Sequence, residues 1–212
     1  MNTLIDVFLK RVWWQQVLLV QMIAIVGIQF AGTIGTKFLA PRFGWGESHS
    51  VFAAGEYDDT IQGRFARWDS SYYLRIAQQG YSDDGQDLVF FPLYPILISL
   101  LHNALGLSLL WSGWIVAVTC YAGAGLLLYQ LIRIDHSAEF ALWGVAWLSI
   151  FPTAFFFSSI YTESLFMLTS IAAVYFARRG QFIFSGLAIA FAGATRPTAF
   201  LLAIPFFVEI WQ

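Results

Sequence analysis

Apolar runs close to or above the ~18 to 20 residues that cross a ~30 Å hydrocarbon core recur along this chain, and no other feature constrains its fold as tightly. Only 11% of its 212 residues are charged and 58% are hydrophobic, whereas an average soluble domain carries about 25% charged residues. A water-soluble fold cannot hide that much apolar surface, so the bilayer is the solvent for most side chains. In that solvent every backbone N–H and C=O needs an internal partner, which leaves the helix as the natural spanning element for such runs. The expected fold class is all-α, a polytopic membrane helical bundle.

Charge and cysteine usage narrow the partners. The formal net charge is −2, and the Lys and Arg residues form no dense basic stripe of the kind a phosphate backbone attracts, so no nucleic acid partner is expected. The single cysteine, Cys120, lies inside an apolar run and can form no intrachain disulfide. No Cys/His cluster is present, so neither a metal site nor a cofactor is expected. The first apolar run follows Lys10 and Arg11 and continues beyond signal-peptide length without a small-residue exit, which reads as a signal anchor.

Charge placement also orders the chain as a single membrane domain over residues 1–212. Val17 to Ala40 is the first spanning helix, ended by Pro41, with Lys10 and Arg11 predicted on the cytoplasmic side. Residues 41–109 form a long outer loop with interfacial helices. The loop holds Glu47, Glu56, Asp58, Asp59, Asp69, Asp83, Asp84 and Asp87, eight of the 13 acidic residues. The stretch Phe90 to Leu109 is apolar enough to cross, but a crossing would place Arg133, Arg178 and Arg179 opposite Lys10 and Arg11, against the positive-inside rule. It is therefore read as interfacial or re-entrant, with Pro92 and Pro95 near its start. Residues 110–212 supply further spans at Leu110 to Ile132, Phe140 to Phe157, Ser159 to Ala177 and Phe182 to Thr195, with a last run from Thr198. Small residues at Gly27, Ala31 and Gly35, and at Gly186, Ala190 and Ala194, predict helix-packing stripes. The chain stops while still apolar, as an N-terminal part of a longer protein would.

This map gathers three polar elements at one face. Arg67-Trp68-Asp69-Ser70-Ser71-Tyr72-Tyr73 opens a short helix that Gly80 closes, with Asp69 as N-cap or first residue. Such an aspartate is either a cap or, flanked by Trp68 and tyrosines that suit a sugar face, a general base for an acceptor hydroxyl. Glu163 follows a Pro152-broken apolar run, and a rim carboxylate is either a helix-start charge or functional. Arg196, between two apolar runs, either snorkels or grips a phosphate through a bidentate contact.

Taken in order, Arg67-Trp68-Asp69 with Tyr73 and Gly80-Tyr81, then Phe91-Pro92-Leu93-Tyr94-Pro95, then Pro152 with Ser158 and Tyr161-Thr162-Glu163-Ser164-Leu165-Phe166, and finally Thr195-Arg196, resemble the PIG-V family, the glycosylphosphatidylinositol mannosyltransferase II enzymes and their prokaryotic relatives. The resemblance implies a GT-C-like fold whose long first extracytoplasmic loop carries an essential acid. It implies a polyprenyl-phosphate-linked mannose donor, a glycan or glycolipid acceptor, and a location in the plasma membrane of a prokaryote or the endoplasmic reticulum of a eukaryote. On that basis Asp69 is the expected catalytic base, and Arg67, Trp68, Tyr73, Glu163 and Arg196 are expected substrate contacts. A noncatalytic membrane subunit whose polar loop binds a partner is the rival. A transporter is disfavoured because the charges gather at one face rather than along a path.

Overall fold

The computed structural model describes residues 12–35, 66, 68–83 and 85–211. The described residues form helices and no strands, an all-α membrane bundle. Helix α1 spans Trp13–Ile34, α2 Ser70–Gln79, α3 Leu93–Leu105, α4 Leu109–Ile132, α5 Ala138–Ile150, α6 Glu163–Arg178, α7 Phe182–Gly193 and α8 Ala203–Trp211. Two 3-10 segments, Ala154–Ser158 and Pro197–Leu202, precede α6 and α8.

Helices α1 and α4, at 22 and 24 residues, are long and apolar enough to cross a bilayer unaided. Their large side chains turn outward as a lipid solvent requires: Val26 and Phe30 on α1, Trp143 and Trp147 on α5 and Ile183 on α7 are all exposed. The spans expected from the sequence are shortened elsewhere. The run from Phe140 does not continue as one helix to Phe157, because α5 ends at Ile150. Pro152 removes a backbone donor and disfavours helical geometry in the residue before it, so the chain bends and resumes as a 3-10 turn. The next helix starts at Glu163 rather than Ser159, and the residues between are non-helical.

Helix α4 is the central post. Its buried face carries Ser112, Gly113, Ala117, Cys120, Ala124 and Gly125, small residues that let neighbouring backbones approach. Gly125 is tightest, an added Cβ there running into the Gln21 amide, and at Gly113 a Cβ would sit 2.9 Å from Ile160 Cγ2. Buried polar groups bond across helices, with Gln21 Nε2 donating to the Tyr121 carbonyl at 2.6 Å and Ser185 Oγ to the Ala173 carbonyl at 2.7 Å. Among the described residues nothing packs on the glycines of the two small-residue stripes expected as packing faces. Gly27 and Gly186 have no atom within 4 Å of an added Cβ, and the buried faces are Val17 and Gln21 on α1 and Ser185, Ala188 and Ala192 on α7.

The bundle has two polar ends. At one, Arg178 at the close of α6 makes a bidentate pair with Asp135 at 2.9 and 3.0 Å and a contact with Glu209 at 3.2 Å. Trp13 stacks on Tyr129 at 5.1 Å, setting the start of α1 beside the last turn of α4. The other end lies about 24 Å away along the 16 residues of α6. There α2 and α3 pack on α4 and on the segment before α6, around a core of Tyr73, Leu74, Tyr94, Ile98, Ile160 and Leu165.

Candidate functional site

Trp68 turns the chain into α2 with a φ of 49°, the left-handed region a non-glycine residue enters at a cost of about 1–2 kcal/mol. Its ring stays 72% exposed and tilts toward Phe156 at 6.4 Å. Asp69 takes the N-cap position, as the sequence leads one to expect, but its backbone is helical (φ −65°, ψ −14°) and its carboxylate makes no capping hydrogen bond. A capping aspartate sits in extended backbone and accepts from the first-turn N–H groups. Asp69 does neither, and its side chain is exposed. Gly80 closes the helix at φ 81°.

The first turn of α2 rests on the non-helical residues ahead of α6. Ser70 Oγ donates to the Ile160 carbonyl at 2.9 Å. The Tyr161 hydroxyl lies near the backbone N–H of Asp69, and the Tyr73 hydroxyl near that of Thr162. Burial pushes the Tyr161 hydroxyl up to about 12, with the Asp69 N–H opposing and the Asp69 and Glu163 carboxylates adding to the rise. Tyr73 is raised for the same first reason. Both stay protonated near neutral pH. Tyr94, fully buried, links this segment to α4 by donating to the Gly113 carbonyl at 3.0 Å.

Arg196 closes the site from a third part of the chain. Its Nε donates to Thr162 Oγ1 at 2.8 Å and its Nη2 to Glu163 Oε1 at 2.5 Å, while the guanidinium lies over the Phe166 ring at 5.9 Å. The Nε/Nη2 edge is the one that grips phosphate bidentately, and here it is already occupied, leaving the Nη1 end for a ligand. Glu163 Oε2 is buried with no hydrogen-bond partner among the described residues. The Leu93 N–H donates to the Ala194 carbonyl at 3.0 Å, tying the start of α3 to the Thr195-Arg196 junction.

Of the side chains singled out in the sequence, Trp68, Asp69, Tyr73, Glu163 and Arg196 therefore come together, and Arg67 lies outside the described residues. Among the described residues no group of three or more His, Cys, Asp or Glu could hold a metal ion.

Residues 7–209 match the family model described as Mannosyltransferase (PIG-V). The chain belongs to the PIG-V mannosyltransferase family. It is 29% identical over 119 residues to the GPI mannosyltransferase 2 of Drosophila melanogaster, covering 51% of this chain and 26% of that protein. It is 28% identical over 154 residues to the GPI alpha-1,6-mannosyltransferase 2 of Mus musculus, covering 68% of this chain and 31% of that one. The GPI mannosyltransferase pigv-1 of Caenorhabditis elegans matches at 29% over 133 residues, 54% of this chain and 20% of that protein. The chain thus spans about a fifth to a third of the length of these PIG-V relatives. No solved structure matches it.

Several side chains that build the site enter the sequence reading only as members of longer strings, with no role of their own. Ser70 and Tyr161 look like ordinary helix-start and aromatic residues, and Thr162 is the hydroxyl that accepts from Arg196. The available hint is that Thr162-Glu163 opens a helix right after a proline-broken run. Arg75 and Asp87 are a second pair of this kind, bonded at 2.9 Å to hold the loop after α2.

Proposed function

We propose that the chain is the acceptor-activating part of a membrane mannosyltransferase that uses a polyprenyl-phosphate-linked mannose. Asp69 takes the proton from an acceptor hydroxyl on a glycan or glycolipid as that oxygen attacks the anomeric carbon. The bond from that carbon to the phosphate oxygen breaks, and the lipid phosphate leaves with the bonding electrons. A single displacement inverts the anomeric configuration. Trp68 offers its exposed ring to a sugar face, and the Nη1 end of Arg196 faces the donor phosphate.

One observation carries this reading: an N-cap aspartate relieved of capping stands at the same end of the bundle as the Glu163–Arg196 pair. The extracytoplasmic placement of that end is supported by the other end, where Arg133, Arg178 and the start of α1 gather, as cytoplasmic termini of a multi-pass protein do. The host membrane follows the source, plasma membrane in a prokaryote and endoplasmic reticulum in a eukaryote.

The test is Asp69→Asn in the full chain, assayed in native membranes with polyprenyl-phosphate mannose. Removal of a general base lowers transfer by about 10²- to 10⁴-fold, with membrane insertion and melting unchanged. Transfer at the parent rate would overturn the assignment and favour a noncatalytic subunit.

A further inference from the structure

Three consecutive residues, Ile160, Tyr161 and Thr162, face the first turn of α2. The Ile160 carbonyl takes Ser70 Oγ at 2.9 Å, while the Tyr161 hydroxyl lies near the Asp69 N–H and the Thr162 hydroxyl near that of Tyr73. All three are buried, at 0%, 6% and 1% exposure. A helix start is the part of a helix most prone to fray, and Asp69 has no cap of its own to fix it. The direction of its carboxylate is therefore set from outside the helix.

We infer that Thr162 is a positioning residue for Asp69: its hydroxyl, locked by Arg196, fixes the first turn of α2 and so aims the carboxylate at the acceptor. The chemistry of the hydroxyl supports this. Thr162 Oγ1 accepts from Arg196 Nε at 2.8 Å, two residues after the Ile160 carbonyl that holds Ser70, so this bond pins the segment on which the first turn of α2 rests. Arg196 is itself held by Glu163 Oε1 and so cannot swing away from Thr162 without breaking an ion pair. The order is Glu163, Arg196, Thr162, then Ile160 two residues earlier and Ser70, with Asp69 next to Ser70. Val in place of Thr162 would keep the shape and remove the hydrogen bond from Arg196.

The inference rests on Asp69 being the base, so the experiment separates the two. In the full chain in native membranes, with polyprenyl-phosphate mannose as donor, Thr162→Val is expected to lower kcat by about 10- to 100-fold, the cost of a small misplacement of a reacting group. The donor KM changes by less than about threefold. Thr162→Ser, which retains the hydroxyl, recovers most of the rate. Hydrogen–deuterium exchange over residues 69–74 is expected to quicken in Thr162→Val and to return toward the parent rate in Thr162→Ser. A Thr162→Val protein with kcat within about twofold of the parent, alongside an inactive Asp69→Asn, sinks the positioning role while sparing the base. Equal losses in the Ser and Val variants would assign the effect to packing and overturn it as well. An active Asp69→Asn removes the base, and the positioning role with it.

Discussion

Arg196 and Glu163 stand 33 residues apart in the chain, and their side chains meet at 2.5 Å, with the same guanidinium bonded to Thr162 beside them. Both side chains are partly exposed, at 36% and 24%, so solvent screening keeps the pair's own worth modest. Losing one partner costs more, because it strands the other charge and, at Arg196, also frees the Thr162 hydroxyl. Arg196→Ala and Glu163→Gln are each expected to lower stability by about 1–3 kcal/mol. The double variant should lose less than the sum, since the two act on one pair. Thermal melting of the four proteins in detergent checks this, and strict additivity would mean the pair is not coupled.

The helical class, the α4 span and the limits of α2 were legible because they rest on apolar run length and on punctuation by Asp69 and Gly80. Phe140 to Phe157 reads as one run because hydropathy does not register that Pro152 stops a helix. The stripe at Gly27 misleads because small residues mark a close approach only where a neighbour exists, and the sequence does not say which face has one. Asp69, Glu163 and Arg196 stand out as charges in apolar surroundings. Thr162 does not, because a threonine hydroxyl acquires its role only from the Arg196 that folding brings to it.

Asp87 secures the far end of α2. It is fully buried in a shallow loop, where it accepts from the Ser82 N–H and hydroxyl and from Arg75 Nη2 at 2.9 to 3.2 Å. Burial works to raise its carboxyl, but the Ser82 bonds and the Arg75 charge outweigh it and hold the group below the usual range. A carboxyl lowered by folding stabilises fully above its unfolded value of about 3.9 and loses that contribution as pH falls through the native value. Residues 81–90 are expected to be protected from proteolysis at neutral pH and to open in acid, and Asp87→Asn to open them at neutral pH. A variant loop as resistant as the parent would show that the carboxylate does not hold it.

Tyr161 gives the opposite sign at the other pH extreme. Its hydroxyl is raised by burial to about 12, against an ordinary value of about 10. The folded state thus keeps a proton that the unfolded chain gives up, so this contribution is complete below pH ~10 and fades as pH climbs toward ~12. An alkaline titration of tyrosinate absorbance is expected to show a late component that Tyr161→Phe diminishes. Tyr73 is raised too and titrates late, so the expectation is a diminished late component, and an unchanged one counts against it.

The close approach of Ile160 to α4 makes Gly113 a lever on the whole site. A methyl at Gly113 would lie 2.9 Å from Ile160 Cγ2, 3.4 Å from Cγ1 and 3.5 Å from Cδ1. The nearest atom is a branch at the Cβ of a fully buried side chain, so a χ1 rotation that swings it away drives the rest of the isoleucine into its neighbours. Gly113→Ala is therefore expected to destabilise by about 1–3 kcal/mol through overpacking. Because the Ile160 carbonyl holds Ser70 at the start of α2, transfer should fall along with stability. Ile160→Ala alone leaves a cavity costing about 2–5 kcal/mol. Combined, the added methyl points into the space the isoleucine has left, so the double variant should be more stable than the sum of the two losses. Melting temperatures of the single and double variants decide the matter: two losses that simply add would mean that Gly113 and Ile160 do not press on each other, and that the turn is held against α4 by some other contact.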